Sequence, residues 1–299
     1  MSEAADWQEL HFKARKPDVE PLEDWLFEQG ACSVTLEDDA DQPLLEPGPG
    51  EMPLWDRVRV TALFEGARDL ASVLAAVPNE WILDAPAAPV PVADKAWTRE
   101  WEAQFHPMQM GERLWICPSW TPPPDPTATN ILLDPGLAFG TGTHPTTAMC
   151  LRALDAGVTP EMRVVDYGCG SGILGIAAAR LGATSVLGID NDPQAIIASG
   201  NNAAHNDVPT VQFSAVLPDA ALIEAWTGTA DWVVANILAG PLVDLKATLK
   251  RLIKPRGQLT LAGLLEQQAT AVIEAYAPEV SLVIVDQRDE WVLLSGRGV

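Results

Sequence analysis

The sequence predicts an α/β protein: a seven-stranded, doubly wound sheet with a small ferredoxin-like α/β domain ahead of it. Three observations predict this. From about residue 160 onward, short apolar runs alternate with helix-patterned stretches, as in strands joined by crossover helices. Runs in that half such as VLGI and WVVANI are apolar on both faces, as buried parallel strands are. The first 86 residues instead read β-α-β-β-α-β, and a stiff, proline-rich stretch, DAPAAPVPVAD (84–94), sets them apart.

In the first part, WQELHFKA (7–14) alternates like a strand. PLEDWLFEQG (21–30) is a helix with glycine past its end, and ACSVTLED (31–38) is a strand. After an acidic, Pro/Gly-rich loop come a strand paired to it, DRVRVTALFEG (56–66), a helix, DLASVLAAV (69–77), and a weaker strand, EWILDAP (80–86). No catalytic cluster is visible there: the acids are spread, and His11 reads as a half-exposed strand residue rather than a ligand. Beyond the proline stretch, KAWTREWEAQF (95–105) sets Trp97, Trp101 and Phe105 on one helical face. Packing against a domain explains them, with a ligand platform as the alternative. PSWTPPPDP (118–126) reads as a loop. The expected limits are therefore a domain over 1–86, a linker and connecting helix over 87–106, and a second domain over 107–299.

The second part supplies the strands MRVVDYG (162–168), TSVLGID (184–190), VQFSAV (211–216), DWVVANI (231–237), GQLTLAG (257–263), VSLVIVD (280–286) and EWVLLSG (290–296). Helices such as 173–182, 193–206 and 242–253 lie between the first five. Only QRDE joins the last two strands, too short for a crossover, so they form an antiparallel hairpin.

Bulk properties exclude several function classes. Forty-one acidic against nineteen basic residues give a net charge of −22, so most of the surface repels a polyanion and direct nucleic-acid binding is not expected. The acidity suits a basic partner; solubility alone is the other reading. No stretch approaches the ~18 uncharged apolar residues of a membrane helix, and MSEAADWQELHF lacks the pattern of a signal peptide. Cys32, Cys117, Cys150 and Cys169 are scattered, which fits reduced thiols in the cytoplasm and gives neither a metal site nor a disulfide framework.

Three motifs carry chemistry. In VVDYGCGSG (164–172), Asp166 ends a buried strand, and Gly168, Gly170 and Gly172 turn into a helix, letting a ligand approach the backbone. Gly170, Gly172 and Gly175 also satisfy the dinucleotide fingerprint, but an acid just ahead of the turn opposes a pyrophosphate and suits a phosphate-free, cationic ligand. In GIDNDP (188–193), Asp190 ends the next strand, where a carboxylate accepts both ribose hydroxyls; Asp192 before Pro193 is the better helix cap. In VVANILAGPL (233–242), Asn236 closes the fourth strand at the carboxyl edge of the sheet, where it positions substrate or, alternatively, fastens the structure.

Together these describe an adenosine-binding site without phosphates, and the chain resembles the class I S-adenosylmethionine-dependent methyltransferases. LAFGTGTHPTT (137–147), DYGCGSGILGIAAARLGA, GIDNDPQAI and VVANILAGPL, in that order, resemble the PrmA family, which modifies large-subunit ribosomal protein eleven. Tyr167 stands where that family commonly has phenylalanine. The resemblance implies that Thr147, Gly168, Asp190 and Asn236 touch S-adenosylmethionine or frame its methyl group, and that the N-terminal domain holds the substrate protein. It also implies N-methylation of lysine side chains and of an N-terminal α-amine. Asp166 and Gly170 join the cofactor set through the glycine turn. Pro145 opens a helix at 145–156, and the segment before it, with Gly140 and Gly142 as hinges, folds Phe139 over the cofactor. His144 holds this loop, with a general base as the alternative, and Cys169 is structural. A monomer is expected. The competing functions are methylation of another basic protein or small amine, a nicotinamide-dependent dehydrogenase, and a non-catalytic ribosome-assembly adaptor.

Overall fold

A computed structural model describes residues 7–40, 42, 53–66, 68–92, 105–134 and 142–298, and the chain divides into two compact units, Met1–Trp97 and Thr98–Val299. The first unit runs β1 (Trp7–Arg15), α1 (Lys16–Glu28), β2 (Ser33–Asp38), β3 (Arg57–Glu65), α2 (Leu70–Ala76), a 3-10 turn (Asn79–Trp81) and β4 (Val90–Val92). Its strands are antiparallel in the order β2-β3-β1-β4, the ferredoxin-like arrangement the element order predicts. Period-two alternation turns Leu10, Phe12, Ala14, Val58, Val60 and Phe64 to one face, where α1 and α2 cover them.

Two boundaries differ from the sequence reading. The helix expected from residue 21 begins at Lys16, with Pro17 in its first turn and Pro21 inside it. Burial of Val19, Leu22 and Leu26 on one stripe outweighs the hydrogen bond that Pro21 cannot donate. The fourth strand is Val90–Val92 rather than 80–86, so part of the stretch read as linker belongs to the first sheet. Pro91 is tolerated there because β4 is an edge strand. The connecting helix expected at 95–105 lies, apart from Phe105, outside the described residues.

The second unit opens with a three-stranded sheet, β5 (Met108–Gln109), β6 (Leu114–Cys117) and β7 (Thr129–Leu132), where sequence showed only a loop. There follow α3 (Pro145–Gly157), β8 (Arg163–Tyr167), α4 (Ile173–Arg180), β9 (Ser185–Ile189), α5 (Pro193–His205), β10 (Phe213–Val216), α6 (Ala220–Trp226) and β11 (Ala230–Asn236). The chain ends with α7 (Ala239–Asp244), α8 (Lys246–Leu252), β12 (Ile253–Leu265), α9 (Glu266–Tyr276), β13 (Val283–Arg288) and β14 (Trp291–Arg297).

The main sheet has the order β10-β9-β8-β11-β12-β14-β13. The pairs from β10 to β12 are parallel, and β14 runs against both its neighbours; against β13 this follows from their short connection, Asp289 and Glu290. Strand order reverses between β8 and β11, so a crevice opens where their carboxyl ends diverge. No helix among the described residues is long and apolar enough to cross a membrane.

Candidate active site

The crevice is built on the turn from β8 into α4. Gly168, Gly170 and Gly172 all have left-handed φ values, of 78°, 53° and 79°. At Gly168 a side chain is excluded twice, because a Cβ there would also lie 2.2 Å from Ile237 Cγ2. Gly175 serves helix packing instead: a Cβ on it would sit 2.5 Å from the Phe213 ring. Its place in a dinucleotide-like spacing therefore has a cause unrelated to phosphate.

Two carboxylates hold this turn and the helix it opens. Asp166 is fully buried in β8, and its Oδ2 accepts the Gly175 N–H at 2.8 Å, while Oδ1 has no hydrogen-bond partner. Burial raises its pKa to about 7 against the pull of the Gly175 N–H, and the Asp190 charge adds to the rise. Asp190 stands half-buried just past β9. Its Oδ2 accepts the Gly170 N–H at 2.9 Å and its Oδ1 accepts the Asp192 N–H at 3.0 Å. A carboxylate has about four lone-pair sites, so Asp190 keeps room for a vicinal diol beside the glycine turn. Asp192 caps α5 by accepting the Gln194 N–H at 2.8 Å, as expected from Pro193.

The third wall joins residues far apart in sequence. Asn236 ends β11 and donates from Nδ2 to Thr147 Oγ1 at 3.1 Å. Thr147 is buried in the first turn of α3, which starts at Pro145 as the sequence predicts. The order of strands thus brings Gly168, Asp190, Asn236 and Thr147 to the same end of the sheet. Phe139, expected as a cover, and the hinge Gly140 lie outside the described residues; Gly142 has φ 84°.

A family model described as Ribosomal protein L11 methyltransferase (PrmA) matches residues 6–298. The chain belongs to this family. It is 46% identical over 295 residues to the ribosomal protein L11 methyltransferase of Cellvibrio japonicus, with 97% of each chain covered. With that of Actinobacillus pleuropneumoniae serotype 5b it shares 47% over 292 residues, covering 97% of this chain and 98% of the relative. A crystal structure of the ribosomal protein L11 methylase from Lactobacillus delbrueckii superposes with a TM-score of 0.57 at 32% identity, covering 65% of this chain and all of that one. PrmA proteins are S-adenosylmethionine-dependent methyltransferases, so the nicotinamide and adaptor readings fall away.

The residues present fit that cofactor. Asp190 offers acceptor positions for ribose hydroxyls, and the glycine turn admits close backbone approach. The half-buried Asp190 carboxylate beside the glycine turn favours a cationic ligand over an anionic one.

Two further side chains meet at the start of α3, where the chain reads His144, Pro145, Thr146, Thr147. His144 caps α3 with its Nδ1, which lies 2.8 Å from Thr146 Oγ1 and 3.4 Å from the Thr146 nitrogen. Its ring stands edge-on to Trp291, with centroids 4.8 Å apart. Burial lowers the pKa of His144, which keeps the ring neutral and able to accept. Sequence reading gave Trp291 only a place in the terminal hairpin. Its register opposite Leu265 carries it to the carboxyl edge of β12, beside the start of α3. Cys169 is buried 3.5 Å from Ser199 Oγ with its pKa raised to about 12 by burial, a thiol rather than a nucleophile.

Proposed function

We propose that this chain methylates amino groups, both lysine side chains and an N-terminal α-amine, of large-subunit ribosomal protein eleven. It acts as a cytoplasmic monomer that does not bind nucleic acid directly. The observation that carries the reading is the Asn236–Thr147 hydrogen bond, which ties the end of β11 to the first turn of α3 beside Gly168 and Asp190. When bound, S-adenosylmethionine supplies an electrophilic methyl group on a sulfonium.

Thr147, Gly168, Asp190 and Asn236 form the cofactor site, Asp166 and Gly170 support it through the turn, and Phe139 covers it. The side-chain amide of Asn236 is anchored through Nδ2, so Oδ1 is the atom that accepts a hydrogen bond from the incoming amine and aims its lone pair. Positioning dominates, since little acid–base chemistry is needed once the amine is neutral. Reaching that state at pH 7 costs roughly 4.6 kcal/mol for a lysine of pKa about 10.4, and roughly 1 kcal/mol for an α-amine near 7.8. The α-amine is the easier acceptor. The first unit holds the substrate protein.

Intact-mass measurement of the ribosomal protein after incubation with enzyme and S-adenosylmethionine tests the assignment: methyl increments are expected, and their absence despite cofactor binding by calorimetry overturns it. Asn236→Ala is expected to lower kcat about 100-fold, with a smaller change in cofactor affinity. Unchanged turnover overturns the role of Asn236.

A further inference from the structure

The four-stranded sheet of the first unit has two unlike faces. Both helices lie on one, sharing a core with the inward residues of β1 and β3. On the other face cations gather at one end: Lys13 and Arg15 on β1, Arg57 and Arg59 on β3, with Lys16 beside them at the start of α1. These are five of the seven Lys and Arg residues in Met1–Trp97, in a chain of net charge −22. The register sets Lys13 directly opposite Arg59 and Arg15 directly opposite Arg57. Like charges directly opposite one another destabilise a sheet.

Among the described residues, acidic neighbours compensate only part of this charge. Asp39 receives Lys13 Nζ at 2.9 Å, Arg57 at 3.0 Å and Arg59 at 3.6 Å, and its own side chain is 2% exposed. Glu37 pairs across β2 with Arg59, and Asp56 precedes β3. Arg15 and Lys16 are exposed, and the side chains of Lys13, Arg57 and Arg59 remain 42%, 50% and 48% exposed around the one carboxylate they share.

We propose that this cationic end of the open sheet face docks a short carboxylate-bearing segment of the protein substrate; the proposal rests on the reading that the chain methylates a protein. Its chemistry is a set of forked and point cations presented to carboxylates. Two paired strands and three residues of length make a patch about 5 by 10 Å, the size of a short acidic segment rather than of a nucleic-acid strand. A long polyanion would also meet the acidic remainder of the surface. Charge of opposite sign at one place on an otherwise acidic molecule fixes orientation: basic regions of the substrate are attracted broadly, and its acidic segment is held at this end.

The test measures KM and kcat for the ribosomal protein at several salt concentrations, with cofactor Kd by calorimetry. It compares wild type, Lys13→Glu and Arg59→Glu. The neutral pair Lys13→Gln/Arg15→Gln guards against misfolding from charge reversal, and circular dichroism checks each fold. KM is expected to rise about tenfold in the patch variants, with kcat and cofactor Kd within about twofold and a shallower dependence of KM on salt. Exposed Arg152→Gln on α3 serves as the control cation. Lysine-for-glutamate changes in the substrate's docking segment should restore KM for Lys13→Glu.

Unmoved KM in all folded patch variants, with methylation by wild type intact, overturns the docking proposal alone. Wild type that binds cofactor but leaves the protein unmethylated overturns both this occupant and the functional reading. If the variants lose affinity for a short single-stranded RNA while KM stays fixed, the patch is a nucleic-acid site and the proposal fails.

Discussion

Asp166 and Asp190 show how one residue type serves two ends at neighbouring strand tips. Asp166 is fully buried with one oxygen unpaired, and its pKa is raised to about 7; Asp190 is half-buried, with both oxygens on backbone N–H groups. The raised value has a definite consequence for pH. The folded chain keeps the Asp166 proton up to about pH 7, whereas the unfolded chain releases it near 3.8. This contribution is therefore fully present below 3.8 and is lost as pH rises through about 7. Asp166→Asn keeps an acceptor for the Gly175 N–H and removes the titration. Its stability relative to wild type should increase across pH 4 to 8, by an amount on the order of a few kcal/mol. Urea unfolding at a series of pH values checks this, and a constant difference would show that Asp166 does not titrate in that window. Sequence placed an acid at each strand end but not the side to which each turns, because that depends on the helix packed beneath. Asn236 was legible at its strand end and Thr147 through the family resemblance, yet the hydrogen bond between them spans 89 positions and only the fold supplies it. Trp291 was not legible as a site residue: an isolated aromatic in a strand carries no local mark of the histidine it will meet.

Among the elements, helix α3 couples stability to the site most directly. Its first turn holds Thr147 against Asn236, and its cap is a histidine standing against Trp291. His144→Ala should cost about 1 kcal/mol through the lost cap, read as a lower midpoint in urea, and should lower turnover by loosening Thr147. His144→Asn restores a strong cap without the ring. Recovery of both stability and turnover assigns His144 to the cap alone, whereas recovery of stability only makes its contact with Trp291 part of the site. Because burial lowers the His144 pKa, its stabilisation is present above the unfolded value near 6.5 and is lost as pH falls below it. The advantage of the Asn variant over wild type should therefore grow with acidity. Such elements were legible where two cues agreed, as with Pro145 opening α3 and Pro193 following the cap Asp192. They were not where prolines misled: Pro21 hid the first turn of α1, and the prolines around Val90 hid the edge strand β4. The short strands β5 to β7 give too little periodicity to be seen, since β5 has only two residues.

At the scale of the whole molecule, the described core residues of each unit cluster with one another. Among the described residues, one cluster draws only on residues between Leu10 and Ile82, and the other two only on residues between Met108 and Leu294. The proposed cofactor residues Thr147, Asp166, Gly168, Gly170, Asp190 and Asn236 all fall in the second unit. A ligand stabilises only the cooperative unit whose folded form binds it, by about 2.7 kcal/mol at a hundredfold excess over its dissociation constant. Calorimetry of the intact chain should therefore resolve two transitions, with S-adenosylmethionine raising one and leaving the other in place. Asp190→Ala, which removes the proposed ribose acceptor, should abolish that upward shift. The patch variant Lys13→Glu should lower the unresponsive transition alone, because it disturbs the ion pairs around Asp39 in the first unit. A single transition that moves as a whole would mean that the two cores unfold as one cooperative body, and would overturn the independence of the two units argued from their separate clusters.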